Sequence, residues 1–237
     1  MVKLYQLTGR IRFSEIGEDG HLTLHHLINY FQDCSTFHLE DIGLGADYFM
    51  SHDLAFYMLS WQIEINRMPV LGEEIKVGTL IYGCKGMFGY RNYVLYDKDD
   101  NVLAYANLCG CFFNPKTESF VRLTEEELAK YPIEPKWEME YLPRKIKVPT
   151  DQTYLESIQI HQYQIDINGH VNNSQYVAIA TEFLPKGVTI RQVRVDYKKA
   201  VQFGERLIPA TSQDDEYYYV TLYRQDLTPS VIVAFKI

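Results

Sequence analysis

A thirteen-residue pattern that occurs twice limits the possible folds more than any other feature of the sequence. Each copy has alternating apolar positions, then a basic residue, then a Gly-Glu pair that leads into another alternating run. The two copies are Ile63-x-Ile65-x-Arg67-x-Pro69-x-x-Gly72-Glu73-x-Ile75 and Val195-x-Tyr197-x-Lys199-x-Val201-x-Phe203-Gly204-Glu205-x-Leu207. Upstream of them, Asp19-Gly20-His21-Leu22 matches Asn168-Gly169-His170-Val171, and an apolar, helix-like segment follows each. The same order of landmarks in both halves indicates an internal duplication, although two β-rich halves could share alternation and glycine turns without one.

A proline-rich stretch separates the two halves. It follows the acidic helix signal Thr124-Glu125-Glu126-Glu127 and holds four of the nine prolines, Pro132, Pro135, Pro143 and Pro149. Proline interrupts regular structure, so this composition is typical of a linker. We therefore predict an N-terminal domain over residues 1–125, a linker over 126–152 and a C-terminal domain over 153–237 that carries the catalytic segment.

Periodicity places one helix before a run of strands in each half. Steps of three and four residues predict an amphipathic helix that ends near Gly43 and Gly45. Its apolar stripe is Leu24, Leu27, Ile28, Phe31, Cys34 and His38. Period-two runs predict strands near 57–65, 75–81, 87–97 and 102–113, with an Asp99-Asp100-Asn101 turn between the last two. The second half predicts a strand over 157–165, a helix over 173–184 and strands near 190–199, 206–212, 216–224 and 230–237. Each half thus has one helix followed by antiparallel strands. This is the hotdog plan, in which a sheet wraps around the helix. The predicted fold class is thus α+β, a double hotdog.

The composition disfavours several other classes of protein. The formal net charge is −8, whereas nucleic-acid binders normally carry a basic excess. No apolar run approaches the roughly 20 residues needed to cross a bilayer, and the N-terminal MVKLYQLTGRIRF alternates like a strand rather than a signal peptide. The four cysteines lack CxxC spacing, and His25, His26 and His161 lack the spacing or partners of a metal site. These features predict a reduced, cytoplasmic chain without a metal.

The segment Asp166-Ile167-Asn168-Gly169-His170 offers the strongest candidate chemistry. In an extended conformation Asp166, Asn168 and His170 would share one face, and Asn172, Asn173 or Ser174 could cap the helix that follows. A helix N-terminus presents unpaired N–H groups that can stabilise the oxyanion formed when water adds to a thioester. An imidazole near a carboxylate supplies a general base, and an asparagine can hold the water. The alternative is that these are ordinary turn and cap residues around a satisfied loop histidine.

The string Asp166-x-Asn168-x-His170-Val171-Asn172-Asn173-x-x-Tyr176 resembles the signature of the acyl-acyl carrier protein (acyl-ACP) thioesterases, a plant and bacterial family with tandem hotdog domains. The first half resembles the same family at Asn29-Tyr30-Phe31-Gln32-Asp33, Trp61, Arg67-x-Pro69-x-x-Gly72-Glu73 and Thr79. The resemblance implies hydrolysis of fatty acyl-ACP to free fatty acid and ACP, with Asp166, Asn168 and His170 as catalytic residues. Asn172 and Asn173 are predicted to bind substrate, and neither a metal nor an organic cofactor is needed.

The sequence departs from this family in the strand that follows. Plant members carry Glu-Cys after a Tyr-Arg-Arg run, and alignment on Val195-Asp196-Tyr197-Lys198-Lys199 puts Ala200 and Val201 at those two positions. A cysteine nucleophile is therefore excluded there, and direct attack by water is favoured. Asp196 or Glu182 would have to compensate for the missing glutamate.

The first-half counterpart, Gly17-Glu18-Asp19-Gly20-His21, has glycine where Asp166 stands in the second half. This predicts one working centre, in the C-terminal domain, with the first half mainly forming the acyl pocket. Phe31, Phe56 and Met58 are candidates for its wall or for the core.

The basic residues Lys186, Arg191, Arg194, Lys198 and Lys199 are a candidate docking surface for the acidic carrier protein, or a solvated face. Two rival functions remain open: an acyl-coenzyme A thioesterase of similar fold, and a non-catalytic hotdog module that binds an acyl carrier or lipid. The sequence is compatible with a monomer, as a pseudo-dimer, and with a homodimer.

Overall fold

The computed structural model describes residues 3–237, which divide into two compact units. The first unit comprises the described residues up to Leu59 together with Ile65–Leu142. The second comprises Ser60–Glu64 and Pro143–Ile237. The predicted linker is thus shared, with residues 126–142 in the first unit and 143–152 in the second. None of the helices in the described residues is long and apolar enough to cross a bilayer.

The first unit is a sheet that packs against one long helix. In chain order its elements are β1 (Tyr5–Arg10), α1 (Leu24–Asp41), α2 (Ala46–Ser51), β2 (Ala55–Ile65), β3 (Glu74–Lys85), β4 (Phe88–Asp97), β5 (Val102–Asn114), β6 (Ser119–Phe120) and α3 (Glu125–Leu128). The strand order is β1-β3-β4-β5-β2, and β6 pairs with β5. The predicted apolar stripe of α1 is buried at every position, which confirms the helix and its orientation. The helix ends before Gly43, whose φ of +75° favours glycine.

The second unit repeats this plan with fewer residues. Its elements are β7 (Thr153–Tyr154), β8 (Ile158–Gln159), α4 (Asn173–Thr181), β9 (Gln192–Tyr197), β10 (Arg206–Gln213), β11 (Tyr218–Tyr223) and β12 (Pro229–Lys236). The strand order is β9-β12-β11-β10-β7, and residues 60–64 of β2 pair antiparallel with β9. Helix α4 contacts β11 and β12, burying Tyr176, Val177 and Ala180.

Equivalent hydrogen bonds confirm the duplication. The Ile11 N–H donates to the Glu73 carbonyl at 2.9 Å, and the Ile160 N–H donates to the Glu205 carbonyl at 2.9 Å. The glycine of each Gly-Glu pair has a φ near +80°, which only glycine adopts readily. In both units the glutamate carboxylate accepts the backbone N–H three residues earlier, at 3.0 Å in the first unit and 2.6 Å in the second.

Two predicted elements need correction, and one helix was missed. The strand over 157–165 is reduced to β8 because residues 162–164 form a 3-10 turn, in which the Gln164 side chain accepts the His161 N–H at 2.9 Å. Helix α4 ends at Thr181 rather than near 184, since the next N–H groups bond three residues back and Pro185 cannot continue the helix. The short helix α2 was not predicted. A tertiary contact holds its start, where the Glu40 carboxylate accepts the Ala46 N–H at 2.8 Å.

Candidate active site

A tight turn, not an extended segment, carries the three predicted catalytic residues. The Asp166 N–H donates to the His170 carbonyl at 2.8 Å, and the Gly169 N–H donates to the Asp166 carbonyl at 3.0 Å. A bridge between Ile165 and Val171 closes the turn, and Gly169 takes a φ of +76°. The prediction of an extended segment is therefore wrong, because alternation over five residues does not distinguish a strand from a glycine-containing turn.

Within this turn the structure brings together two of the three predicted side chains. Asp166 Oδ1 accepts the Asn168 N–H at 2.8 Å, and Asp166 Oδ2 lies 3.5 Å from Asn168 Nδ2. The His170 imidazole is half-buried and forms no hydrogen bond or ion pair within residues 3–237. The turn thus fixes the carboxylate through the backbone and leaves the imidazole without an internal partner.

The start of α4 follows directly. Asn172 caps the helix, since its Oδ1 accepts the Ser174 N–H at 2.9 Å, and its carbonyl accepts the Gln175 N–H at 2.9 Å. Of the predicted capping residues, Asn172 is the one that caps. The Asn173 N–H makes no hydrogen bond in the described part of the chain. Among these first-turn amides, Asn173 is therefore the donor left for an incoming oxygen atom.

Ala200 and Val201, the two positions where the sequence departs from the family, follow β9 and lie beside this turn. The Val171 N–H donates to the Val201 carbonyl at 2.9 Å, and the Val201 N–H donates to the Tyr176 hydroxyl at 3.0 Å. Val201 is fully buried and Ala200 is exposed. The two positions where the resemblance expects a carboxylate and a thiol thus adjoin the candidate catalytic segment but supply only hydrocarbon side chains.

The two carboxylates named as substitutes for that glutamate are placed elsewhere. Asp196 is fully buried, pairs with Lys198, accepts the Ile146 N–H at 3.2 Å and lies 3.6 Å from Arg144. It holds the start of the second unit together. Glu182 is exposed at the C-terminal end of α4, about 15 Å along the helix from its N-cap at 1.5 Å per residue.

The predicted basic docking surface is smaller than its sequence suggests. Lys198 is committed to buried Asp196, and Arg194 donates to the Pro143 carbonyl at 2.6 Å. Lys186, Arg191 and Lys199 are exposed.

The first unit contains an apolar cavity of about 60 Å³. Phe56 and Met58, two of the three candidates for an acyl pocket, line it, whereas Phe31 is fully buried in the core. The Phe56 ring lies over the paired glycines Gly89 and Gly110, where a Cβ atom on Gly110 would come within 2.3 Å of it. Because both glycines lack a side chain, the Phe56 ring can pack against them and form this wall of the cavity.

Two sequence models match most of the chain. The acyl-ACP thioesterase N-terminal domain matches residues 3–131, and the acyl-ACP thioesterase C-terminal domain matches residues 147–228. The chain belongs to the acyl-ACP thioesterase family. The resemblance inferred from the sequence is thereby confirmed.

Curated relatives carry the same family name at low identity. An acyl-[acyl-carrier-protein] hydrolase of Cuphea viscosissima is 28% identical over 222 residues, covering 86% of this chain and 53% of the relative. A palmitoyl-acyl carrier protein thioesterase of Arabidopsis thaliana is 26% identical over 197 residues, covering 77% of this chain and 47% of the relative. The chain spans about half the length of the curated relatives it matches.

Solved structures of the family share the fold. An acyl-ACP thioesterase from Bacteroides thetaiotaomicron has a TM-score of 0.90 at 22% identity, covering 98% of this chain and 97% of that one. The 12:0-ACP thioesterase from Umbellularia californica has a TM-score of 0.83 at 18% identity, covering 98% and 96%. These likenesses confirm the predicted α+β double hotdog.

Proposed function

We propose that this chain hydrolyses fatty acyl-ACP to free fatty acid and ACP, with the reaction centred on Asp166, Asn168 and His170. The proposal rests on one observation. In this chain, a member of the family, a single turn holds an oriented carboxylate, an amide and an unpaired imidazole directly before the start of a helix. Asn172 and Asn173 belong to the same site as the cap and the free amide donor.

The reaction follows from these groups. A water molecule held between the Asp166 carboxylate and the His170 imidazole gives its proton to the imidazole as its oxygen adds to the thioester carbonyl. The Asn173 N–H and the Asn168 side chain donate to the oxyanion that forms. Collapse of this intermediate breaks the carbon–sulfur bond, and the thiolate of the carrier arm leaves and takes up the proton. A thiolate is a good leaving group, so the acid assistance that an amide requires is not needed here.

The test is turnover of purified acyl-ACP. Names of the relatives mention dodecanoyl, palmitoyl and oleoyl chains, so these three are the first substrates to compare. We expect release of free ACP thiol that depends on the protein concentration. Matched acyl-coenzyme A substrates separate the two carriers: faster release from coenzyme A would assign the chain to the rival thioesterase class.

A third outcome would mean that the site does not catalyse hydrolysis with the hydrocarbon side chains of Ala200 and Val201 in place of the Glu-Cys pair. Binding of acyl-ACP without thiol release from any of the three chains would identify a non-catalytic acyl-carrier module. Cytoplasmic localisation, a role in fatty acid biosynthesis, and a monomeric or homodimeric state stay predictions.

A further inference from the structure

An arginine lies in the wall of the apolar cavity without a negative partner. Arg91, on β4, is 7% exposed, and its Nη1 donates to His38 Nδ1 at 3.0 Å and to Thr79 Oγ1 at 3.3 Å. Both acceptors are neutral, since burial, together with the Arg91 charge, lowers the pKa of His38 to about 4. No carboxylate forms an ion pair with Arg91 in the part of the chain that the structure describes. Buried charges in proteins are normally paired, so this guanidinium is a costly feature to keep.

The remaining donors of this group are free to meet a ligand. Nε and Nη2 of Arg91 form no hydrogen bond within residues 3–237, and Arg91 is one of the residues that line the cavity. Tyr131 also lines the cavity, and its hydroxyl is buried without a hydrogen-bond partner. Two residues of one cavity lining therefore carry unpaired donor groups.

Most of the other lining residues are apolar, including Leu39, Phe56, Leu108 and Phe112, although Ser35, Cys84, Tyr90 and Tyr93 also belong to the lining. A plain alkyl chain would match these residues but would leave Arg91 and Tyr131 unpaired, and a buried polar group without a partner is destabilising. An alkyl chain that carries an oxygen atom would match both parts of the lining. At about 60 Å³ the cavity as it stands accepts a small terminal group rather than a long chain.

We propose that this cavity selects acyl chains that carry an oxygen function away from the thioester end, as a hydroxyl or a carboxylate, which accepts hydrogen bonds from Arg91 and Tyr131. The proposal rests on the proposed thioesterase function for the delivery of the chain. The oxygen replaces the missing partner of the guanidinium, and the alkyl stem lies along Phe56 and Leu108.

Binding of inert ligands tests this without requiring turnover. The probes are dodecanoyl amides of cysteamine with a methyl, a hydroxyl or a carboxylate at the far end, measured by calorimetry. We expect the oxygenated probes to bind at least about tenfold more tightly than the methyl probe, the ratio that one charged hydrogen bond supplies. Equal binding, tighter binding of the methyl probe, or binding of none of the three would overturn the proposal.

Three variants assign the preference to the named groups. Arg91→Met keeps the length but removes the charge, and should invert the ratio towards the methyl probe. Tyr131→Phe removes one hydroxyl and should reduce the ratio about threefold, since a neutral hydrogen bond contributes less than a charged one. Arg122→Met, at an exposed arginine of the same unit, is the matched control and should leave the ratio unchanged. An unchanged ratio in Tyr131→Phe and in a folded Arg91→Met would contradict the assignment.

Cys84 reports where the ligand binds. It lines the cavity and is half-buried, whereas Cys34, Cys109 and Cys111 are buried. The oxygenated probes should slow alkylation of Cys84 in the wild-type protein more than the methyl probe does, a result that needs no variant to fold. Failure of the thioesterase function would appear as absent turnover with this binding preference intact.

Discussion

The two turns before α1 and α4 have the same backbone and different chemistry. In the first unit the Gly17 N–H donates to the His21 carbonyl at 2.9 Å, and in the second the Asp166 N–H donates to the His170 carbonyl at 2.8 Å. Their glycines, Gly20 and Gly169, have φ values of +77° and +76°. A 3-10 turn precedes each and a helix follows each. The two units therefore share the same backbone arrangement at this turn.

What differs is the position of the carboxylate. In the first turn Asp19 lies two residues before His21, and its Oδ2 is 3.5 Å from the imidazole Nδ1, which also lies 3.0 Å from the Asp19 carbonyl. In the second turn Asn168 takes that place, and the carboxylate has moved back to Asp166, where it bonds to Asn168. The first imidazole is occupied within its own turn and the second is free. A shift of one acid by two residues thus separates a structural turn from a candidate catalytic one.

The largest effect expected from this comparison is on the two histidines. His170→Ala should lower kcat for acyl-ACP by about a hundredfold or more, the range for loss of a general base. His21→Ala, the matched change in the other turn, should leave kcat within about twofold because its imidazole serves only its own turn. Far-UV circular dichroism checks that both variants fold. Similar losses in the two variants would mean that the copies do not differ in function.

The two acids should show the same contrast on a smaller scale. Asp166→Asn keeps an oxygen to accept the Asn168 N–H but removes the charge, so we expect the turn to persist while kcat falls about tenfold or more. Asp19→Asn is the paired control and should retain kcat. Because Asp166 is assigned to holding water, KM should change little. A raised KM with unchanged kcat would instead assign Asp166 to substrate binding.

The sequence predicted the helices, strands and turns better than it predicted the geometry of the candidate site. The α1 stripe, the Gly-Glu turns and the hairpin at Asp99-Asp100-Asn101 follow from period and turn chemistry, which act within a few residues. Asp, Asn and His alternate in both conformations, so the pattern predicts an extended segment at Asp166. The turn instead depends on a bridge between Ile165 and Val171. Nothing in the sequence indicated that Arg91 is buried, because an arginine within a strand is normally exposed. Its burial depends on how the sheet packs around α1. Its neighbours His38 and Tyr131 are distant in sequence, and no local pattern joins them.

The helices that follow the two turns should differ in their response to acid. Helix α1 carries three histidines whose pKa is lowered mainly by burial, whereas α4 contains no histidine. The pKa values of His25 and His38 are lowered to about 4, and that of His26 is also lowered. Between these values and the unfolded pKa of about 6.5 the unfolded chain binds more protons than the folded one. The free energy of unfolding should therefore fall as the pH drops from about 6.5 towards 4.

Urea unfolding across that pH range measures this effect. His25→Leu, which removes one of the three α1 histidines with a lowered pKa, should make the decline shallower, whereas His52→Leu at an exposed histidine just after α2 should leave the slope unchanged. A decline of equal steepness in wild type and His25→Leu would show that the acid sensitivity lies elsewhere.

The smallest difference expected concerns the caps. Asn172 accepts the Ser174 N–H at 2.9 Å, whereas Thr23, its counterpart before α1, makes no capping bond and instead lies 2.7 Å from His26 Nδ1. Asn172→Ala should lower the free energy of unfolding by about 1 kcal/mol, and Asn172→Asp should restore most of it because aspartate caps equally well. Thr23→Val, which keeps the shape and removes the hydroxyl, should cost less because the first amides of α1 do not depend on it. Urea titrations at neutral pH would measure all three, and a Thr23→Val loss as large as that of Asn172→Ala would mean that the first turn also depends on its cap residue.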